Sequence, residues 1–273
     1  MSVLQEAQQN HRGVGAFNVI LLEHAEAIVA GAEAAGLPVI LQISENCVTY
    51  HGSLEPILAG TLAVARQAKV PAVVHLDHAE NEELVRQAVE LGVHSVMFDA
   101  SHDKYDENVR RTAAIAEFCH AAGVHVEAEL GEVGGKDGVH APGVRTDPED
   151  AKAFAAATGV DSLAVAVGSS HAMTERTAVL DLDLIAAIAQ AVPVPQVLHG
   201  SSGVSDEQLA GAVRAGLVKV NISTHLNGLF TQAVREKLAA DEKLVDPRKY
   251  VAPARRAVAD EVERLLGLLA LRG

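Results

Sequence analysis

Three ionisable residues close the apolar run PAVVHLDH: His75, Asp77 and His78. The next apolar run, HSVMFDASH, ends in the same manner with Asp99, Ser101 and His102. A buried strand more often ends in a turn residue such as Gly, Asn or Pro. Imidazoles beside carboxylates at strand ends suit two linked chemistries. Neutral histidine nitrogens bind a divalent transition metal, most simply zinc, and leave a coordination position open. A carboxylate adjoining a ligand puts a proton carrier within reach of a metal-bound substrate.

Other apolar runs end in polar residues too. GVGAFNV (13–19) supplies Asn18 and PVILQIS (38–44) supplies Ser44. HVEAELG (125–131) supplies Glu127 and Glu129, and SLAVAVGSS (162–170) leads into His171. QVLHGSSG (196–203) carries His199, and VKVNIST (218–224) ends in Asn221, Ser223 and Thr224. His78, His171 and His199 make the best metal triad, because small or polar neighbours leave room for a ligand. His75 shares the side of Asp77 one layer deeper and reads as a hydrogen-bonded core histidine. His102 lies just past its strand, where it could support a carboxylate. HGSSG and NIST expose backbone N–H groups and hydroxyls, which together make an anion cradle.

The elements that must position these residues alternate regularly. Eight β-rich runs are separated by amphipathic stretches such as ENEELVRQAVELG and SDEQLAGAVRAG, several opening on Asp or Ser and stopping at Gly. That count predicts an α/β fold, a (β/α)8 TIM barrel, whose active site forms at the strand C-termini. A doubly wound open sheet is the other architecture, but it normally stops at about five to seven strands. We expect one domain over residues 1–273: a barrel to about 240, then a polar turn and a final helix over about 241–273. The long irregular segment 131–148 has four glycines within eight residues, and long barrel loops are often functional.

Composition narrows the function. Hydrophobic residues form 49% of the 273, yet aromatics form 3% and Trp is absent. The core is therefore Ala, Val, Leu and Ile, as parallel strands under helices require. A net charge of −14 with no basic run argues against nucleic acid and anionic membranes as partners. No apolar run approaches the roughly 20 residues that cross a bilayer. Two cysteines, Cys47 and Cys119, and no leader-like segment point to a cytoplasmic protein.

HLDH, FDASH, VEAELG…GG, the His after the sixth strand, HG-S-G and VNI-T, in this order, resemble the class II, metal-dependent ketose-bisphosphate aldolases. These act on sugar phosphates such as fructose and tagatose bisphosphate. The resemblance spans the chain, from AFNVI near the start to DPRKY near the end. It implies one Zn2+ per chain on His78, His171 and His199, with Glu129 and Asp99 either supporting those ligands or serving as alternate metal contacts. A monovalent cation near the phosphate is allowed. Asp77 would be the acid/base at the C4 hydroxyl, and Asn221 would steady the enediolate. Gly200, Ser202, Ser223 and Thr224 would hold the dihydroxyacetone phosphate end, with Ser44 and Asn18 nearby. Arg248 of DPRKY would reach a neighbouring subunit's site in a homodimer or homotetramer.

The sequence departs from the family pattern in three places. Asp137 stands where a loop Glu usually follows GG by two residues and serves as base for the C1 proton. HAMTERT places Ala172 and Glu175 where Gly and Lys are usual. Ser223 replaces the Asp of fructose enzymes. Two other readings compete: a Schiff-base aldolase using Lys219, and an altered barrel serving as a sugar-phosphate-binding or assembly subunit.

Overall fold

The computed structural model describes residues 2–130, 145–169 and 177–272. Among these, eight parallel strands close in chain order: β1 Val14–Asn18, β2 Val39–Ser44, β3 Ala72–Ala79, β4 Ser95–Phe98, β5 His125–Glu129, β6 Ser162–Ala164, β7 Gln196–Leu198 and β8 Leu217–Ile222. The helices are α1 Val3–Gln9, α2 Leu22–Ala35, α3 Glu45–His51, α4 Glu55–Gln67, α5 Glu82–Glu90, α6 Tyr105–Ala121, α7 Pro148–Thr158, α8 Leu182–Ala191, α9 Asp206–Ala215, α10 Thr224–Ala240 and α11 Pro247–Leu269. The expected barrel is thus present. No helix among the described residues is long and apolar enough to cross a membrane.

Alternation along each strand sorts the side chains. On β3, Val74 and Leu76 join the main apolar cluster beneath the helices, while His75 meets residues of other strands inside the barrel. A second, smaller cluster of Ala7, Val14, Ala16, Ile40 and Val218 lies under Val3 and Leu4 of α1. This helix was not foreseen. It packs on β1 and β8 at the strand N-termini and closes part of that end. Ser2 caps it by accepting from the Gln5 N–H at 3.2 Å. Asp161, just before β6, joins the starts of neighbouring elements, accepting from the Val126 N–H and meeting His120 at 2.8 Å each.

Several strand-end expectations need correction; β4, for one, stops at Phe98, short of Asp99 and Ser101. β6 stops at Ala164, so Ser169 lies well beyond its strand, and 170–176, with His171, lie outside the described residues. β7 stops at Leu198; His199 follows it, and Ser201–Gly203 form a short 3-10 turn rather than strand. β8 ends at Ile222, because Ser223 leads directly into α10. The expected C-terminal helix is present: α11 packs against α2, α10, α9 and β1, whereas α10 buries only Leu226.

The α2–α11 contact depends on one glycine. A Cβ at Gly31 would lie 2.4 Å from the Ala259 carbonyl and 2.8 Å from the Val262 Cβ. Replacing a helical Gly by Ala ordinarily stabilises by about 1 kcal/mol. Here the helix backbone stands in the way, and overpacking of this kind costs about 1–3 kcal/mol. Gly31→Ala should therefore lower the thermal midpoint, while Gly228→Ala on α10, where nothing lies within 4 Å, should leave it unchanged or raise it. Thermal denaturation of both variants checks the opposite signs.

Candidate active site

β3 and β4 fall out of register between Leu76 and Ala79, and His78 has φ 47°. A non-glycine residue in this left-handed region costs about 1–3 kcal/mol and persists only where its surroundings impose it. The bulge has a clear effect. Strict alternation would send Asp77 and His78 to opposite faces, but both line one cavity at the strand C-termini.

That cavity has a volume of about 260 Å³. Asn18, Gln42, Ser44 and Asn46 line one side, and Asn221, Ser223 and Thr224 another. Gly200, Ser201 and Ser202 complete it. Gly200 has φ 65° and opens the 3-10 turn, a conformation that suits glycine. The Ser201 hydroxyl donates to the Asn221 carbonyl, and the Ser202 hydroxyl accepts from the His225 N–H at 3.3 Å. Ser223 makes no side-chain cap at the start of α10, so the first turn of a 17-residue helix meets the cavity with its amide dipoles. Ser44, in contrast, caps α3 by accepting from Cys47 N–H at 3.2 Å.

Beside this cradle stands a donor set. Ligand atoms of His78, Glu129 and His199 all lie within 4.8 Å of one another. The rings of His78 and His199 meet edge to face at 4.6 Å between centroids. His78 Nδ1 donates to Asp99 Oδ2 at 2.9 Å, which leaves Nε2 for a ligand. Asp99 is itself held, accepting from the Ser101 N–H at 3.1 Å and hydroxyl at 2.6 Å. Burial opposes charge on His78, but Asp77, the Asp99 bond and Glu129 outweigh it and raise its pKa to about 9. Such a pocket of negative potential suits a cation. His199 is the reverse: burial lowers its pKa despite the bond to Glu127. A neutral imidazole is the form that ligates. Two imidazoles and a carboxylate fit a divalent transition metal.

A larger cavity of about 490 Å³ opens at the other end of the barrel, lined by Val3, Val73, His94, Ser95 and His125 among others. Size and chemistry therefore disagree. Barrel active sites form at the strand C-termini, and the smaller cavity there holds the convergent polar groups.

A sequence profile described as class-II fructose-bisphosphate aldolase matches residues 1–273. The chain belongs to the class-II fructose-bisphosphate aldolase family. It is similar to a fructose-bisphosphate aldolase of Thermus caldophilus, 38% identical, over 98% of this chain and 96% of that one. It also resembles two solved structures. One is the YdjI aldolase from Escherichia coli K12, 31% identical with TM-score 0.84, over 99% and 96% of the two chains. The other is a putative fructose-1,6-biphosphate aldolase from Coccidioides immitis, 30% identical with TM-score 0.86, over 98% and 94%.

This chain is a metal-dependent aldolase, a lyase. Its structure gathers Asn18, Ser44, Asp77, His78, Gly200, Ser202, Asn221, Ser223 and Thr224 around one cavity, with Glu129 and His199 in the donor set. Asp99 contacts His78 and lies outside that set. His171 and Asp137 lie outside the described residues. Arg248 is exposed on α11 and pairs with Asp246 at 3.0 Å. His102 lies 4.0 Å from Glu80, half in solvent. Nothing favours the Schiff-base reading: Lys219 is fully buried against Glu127 and lines the opposite cavity. Sequence reasoning missed Gln42 and gave Glu127 no role. Each sits two residues before a named site residue, Ser44 and Glu129, so the two-residue period puts it on the same face without showing its partners.

Asp99 fixes which nitrogen of His78 carries the proton. Asn at 99 can turn its NH2 toward Nδ1 and move the proton to Nε2. Asp99→Asn should weaken divalent metal binding by about 10- to 100-fold while leaving the barrel folded. Chelator competition, with circular dichroism as the control for folding, checks this.

Proposed function

We propose that this aldolase uses zinc to make or cleave a carbon–carbon bond between dihydroxyacetone phosphate, or a similar small ketone, and an aldehyde. The observation that carries the reading is the shared cavity: a metal donor set and an anion cradle adjoin the same carboxylate, Asp77. His78 and His199 would hold the ion with His171, and Glu129 or Asp99 would offer alternate contacts. When bound, zinc supplies Lewis-acid polarisation of the ketone carbonyl and stabilises the enediolate.

The chain's own residues do the rest. The N-terminus of α10, with Gly200, Ser202, Ser223 and Thr224, binds the phosphate and so fixes the ketone's three carbons. Ser44 and Asn18 border the same end. Asp77 takes the proton of the C4 hydroxyl as the C3–C4 bond breaks, and returns it in the synthetic direction. Asn221 supports that carboxylate, its Nδ2 lying 3.5 Å from Asp77 Oδ1. The Asn221 Oδ1 is buried with no hydrogen-bond partner among the described residues, so a substrate hydroxyl can donate to it. Asp137 serves as base at C1 of the three-carbon half. Arg248, from a neighbouring subunit of a cytoplasmic homodimer or homotetramer, binds the distal phosphate, since a guanidinium suits bidentate phosphate recognition. Ser223, in place of Asp, leaves the sugar open among fructose, tagatose and related ketose phosphates. A monovalent cation can accompany the phosphate.

Two experiments test the assignment. Asp77→Ala should reduce cleavage by about 10²- to 10⁴-fold yet still exchange the α-proton of bound three-carbon ketone with deuterium. Asp137→Ala should do the reverse, losing exchange with zinc content unchanged. NMR of deuterium wash-in reads both, and parent-rate exchange in Asp137→Ala would place the base elsewhere, with Glu132 next in line. Arg248→Ala should raise KM for phosphorylated aldehydes about 10-fold or more and spare unphosphorylated ones. Equal losses on both would remove Arg248 from the site.

A further inference from the structure

Lys219 is completely buried in the middle of β8. A charge in that position is costly, and an apolar residue of similar volume would often be as stable or more so. Its Nζ makes two hydrogen bonds within the barrel. Nζ donates to Glu127 Oε2 at 2.7 Å and to His75 Nε2 at 3.3 Å. His75 Nδ1 meets the Ser95 hydroxyl at 2.8 Å. Burial, then the adjacent Lys219, hold the His75 pKa down to about 3, so its ring is neutral and can accept. The other oxygen of Glu127, Oε1, lies 3.0 Å from His199 Nε2. A carboxylate only accepts. The shared proton is therefore on His199 Nε2, and the lone pair of Nδ1 faces Glu129, whose Oε2 is 3.8 Å away.

We propose that Lys219 is a positioning residue: by anchoring Glu127 it orients the His199 ring so that Nδ1 points into the metal site. The inference rests on the reading that His199 holds the metal. Lys219 touches neither the C-terminal cavity nor the donor set, and acts through a chain of two bonds. That chain is stiff because its members come from separate strands. Lys219 is on β8, Glu127 on β5 and His75 on β3. Ser162, from β6, adds a hydroxyl 3.4 Å from Glu127 Oε2. Rotation of the Glu127 carboxylate would break the Lys219 contact, so Oε1 stays aimed at His199. With Lys219 removed, Oε2 keeps only the long Ser162 contact, and the acceptor under His199 is free to turn.

The test compares Lys219→Met, Glu127→Gln and the double variant in the full-length protein. Zinc affinity is measured by competition with a fluorescent chelator, and the cobalt-substituted protein is examined by visible absorption. Lys219→Met should weaken zinc binding about 10-fold, at the lower end of what orienting partners contribute, and should shift the cobalt bands. In the Glu127→Gln background, where the carboxylate that accepts from His199 is already lost, adding Lys219→Met should change neither. The double variant carries no buried unpaired charge, so it can be set against the parent even if either single variant fails to fold, and parent-like zinc affinity and cobalt bands in it also overturn the proposal. Parent-like zinc affinity and cobalt bands in a folded Lys219→Met overturn the proposal. So does an equal further loss on adding Lys219→Met to Glu127→Gln. Imidazole nitrogen NMR of the metal-free parent separates the two readings. A proton on Nε2 of His199 that persists unchanged in Lys219→Met overturns the positioning role, whatever the metal does. If the parent itself binds no zinc, the metal reading is what fails.

Discussion

Charge inside a closed barrel must find its counter-charge inside the barrel. The sheet has no edge open to water, and an isolated buried ion costs several kcal/mol. The interior holds Lys219, Glu127 and Glu129 at nearly complete burial, with His75 and His199 beside them. The Lys219–Glu127 pair balances one carboxylate: burial pushes the Glu127 pKa up, but Lys219 and the bond to His199 outweigh it and hold Glu127 well below the usual carboxylate range. Glu129 is left one layer higher, next to the imidazoles. The negative potential that suits a cation thus arises at the C-terminal end and not throughout the interior.

The local backbone enforces the same polarity. Asp77 and His78 are sequence neighbours that must share a face, which a regular strand forbids. The register shift in β3 and the left-handed backbone at His78 resolve this conflict. Asp99 completes the arrangement, since its bond to His78 is also what draws its own pKa down against the effect of burial. The anion cradle needs no strain of this kind. A helix start that Ser223 leaves without a cap from its own side chain, and a glycine turn at Gly200, supply donors from the backbone itself.

Much of this was legible in the sequence, for particular reasons. Eight apolar runs with Gly- and Asp-marked helices between them favoured a closed barrel over an open sheet, and polar residues after the first, second, third, seventh and eighth runs line the C-terminal cavity. Asp77, His78, Asn221 and the Gly200–Ser202 turn needed no more than strand position to be found. Strand ends at β6 and β7 were placed too late, because SLAVAVGSS and QVLHGSSG stay apolar or small after pairing has stopped. α1 escaped notice because its seven residues bury only Ala7. The role of Glu127 depends on which side chain lies opposite across the barrel, and periodicity along one strand carries no such information. The same limit hid the partnership of Lys219 with His75, residues 144 positions apart.

The placement of α11 bears on how the protein is made. Its apolar residues Val258, Val262, Leu265, Leu266 and Leu269 cover α2, which is built from the first 35 residues of the chain. The Gly13 N–H, just before β1, donates to the Leu269 carbonyl at 2.8 Å, and the Arg272 side chain donates to the Ala35 carbonyl at 2.7 Å. Arg272 and Ala35 stand 237 positions apart, and β1 pairs with β8 across the ends of the barrel sequence. Contacts of such separation cost loop-closure entropy before they reward it, so they form late. Until they do, the apolar face of α2 is bare, and partly folded chains with such a face are prone to aggregate.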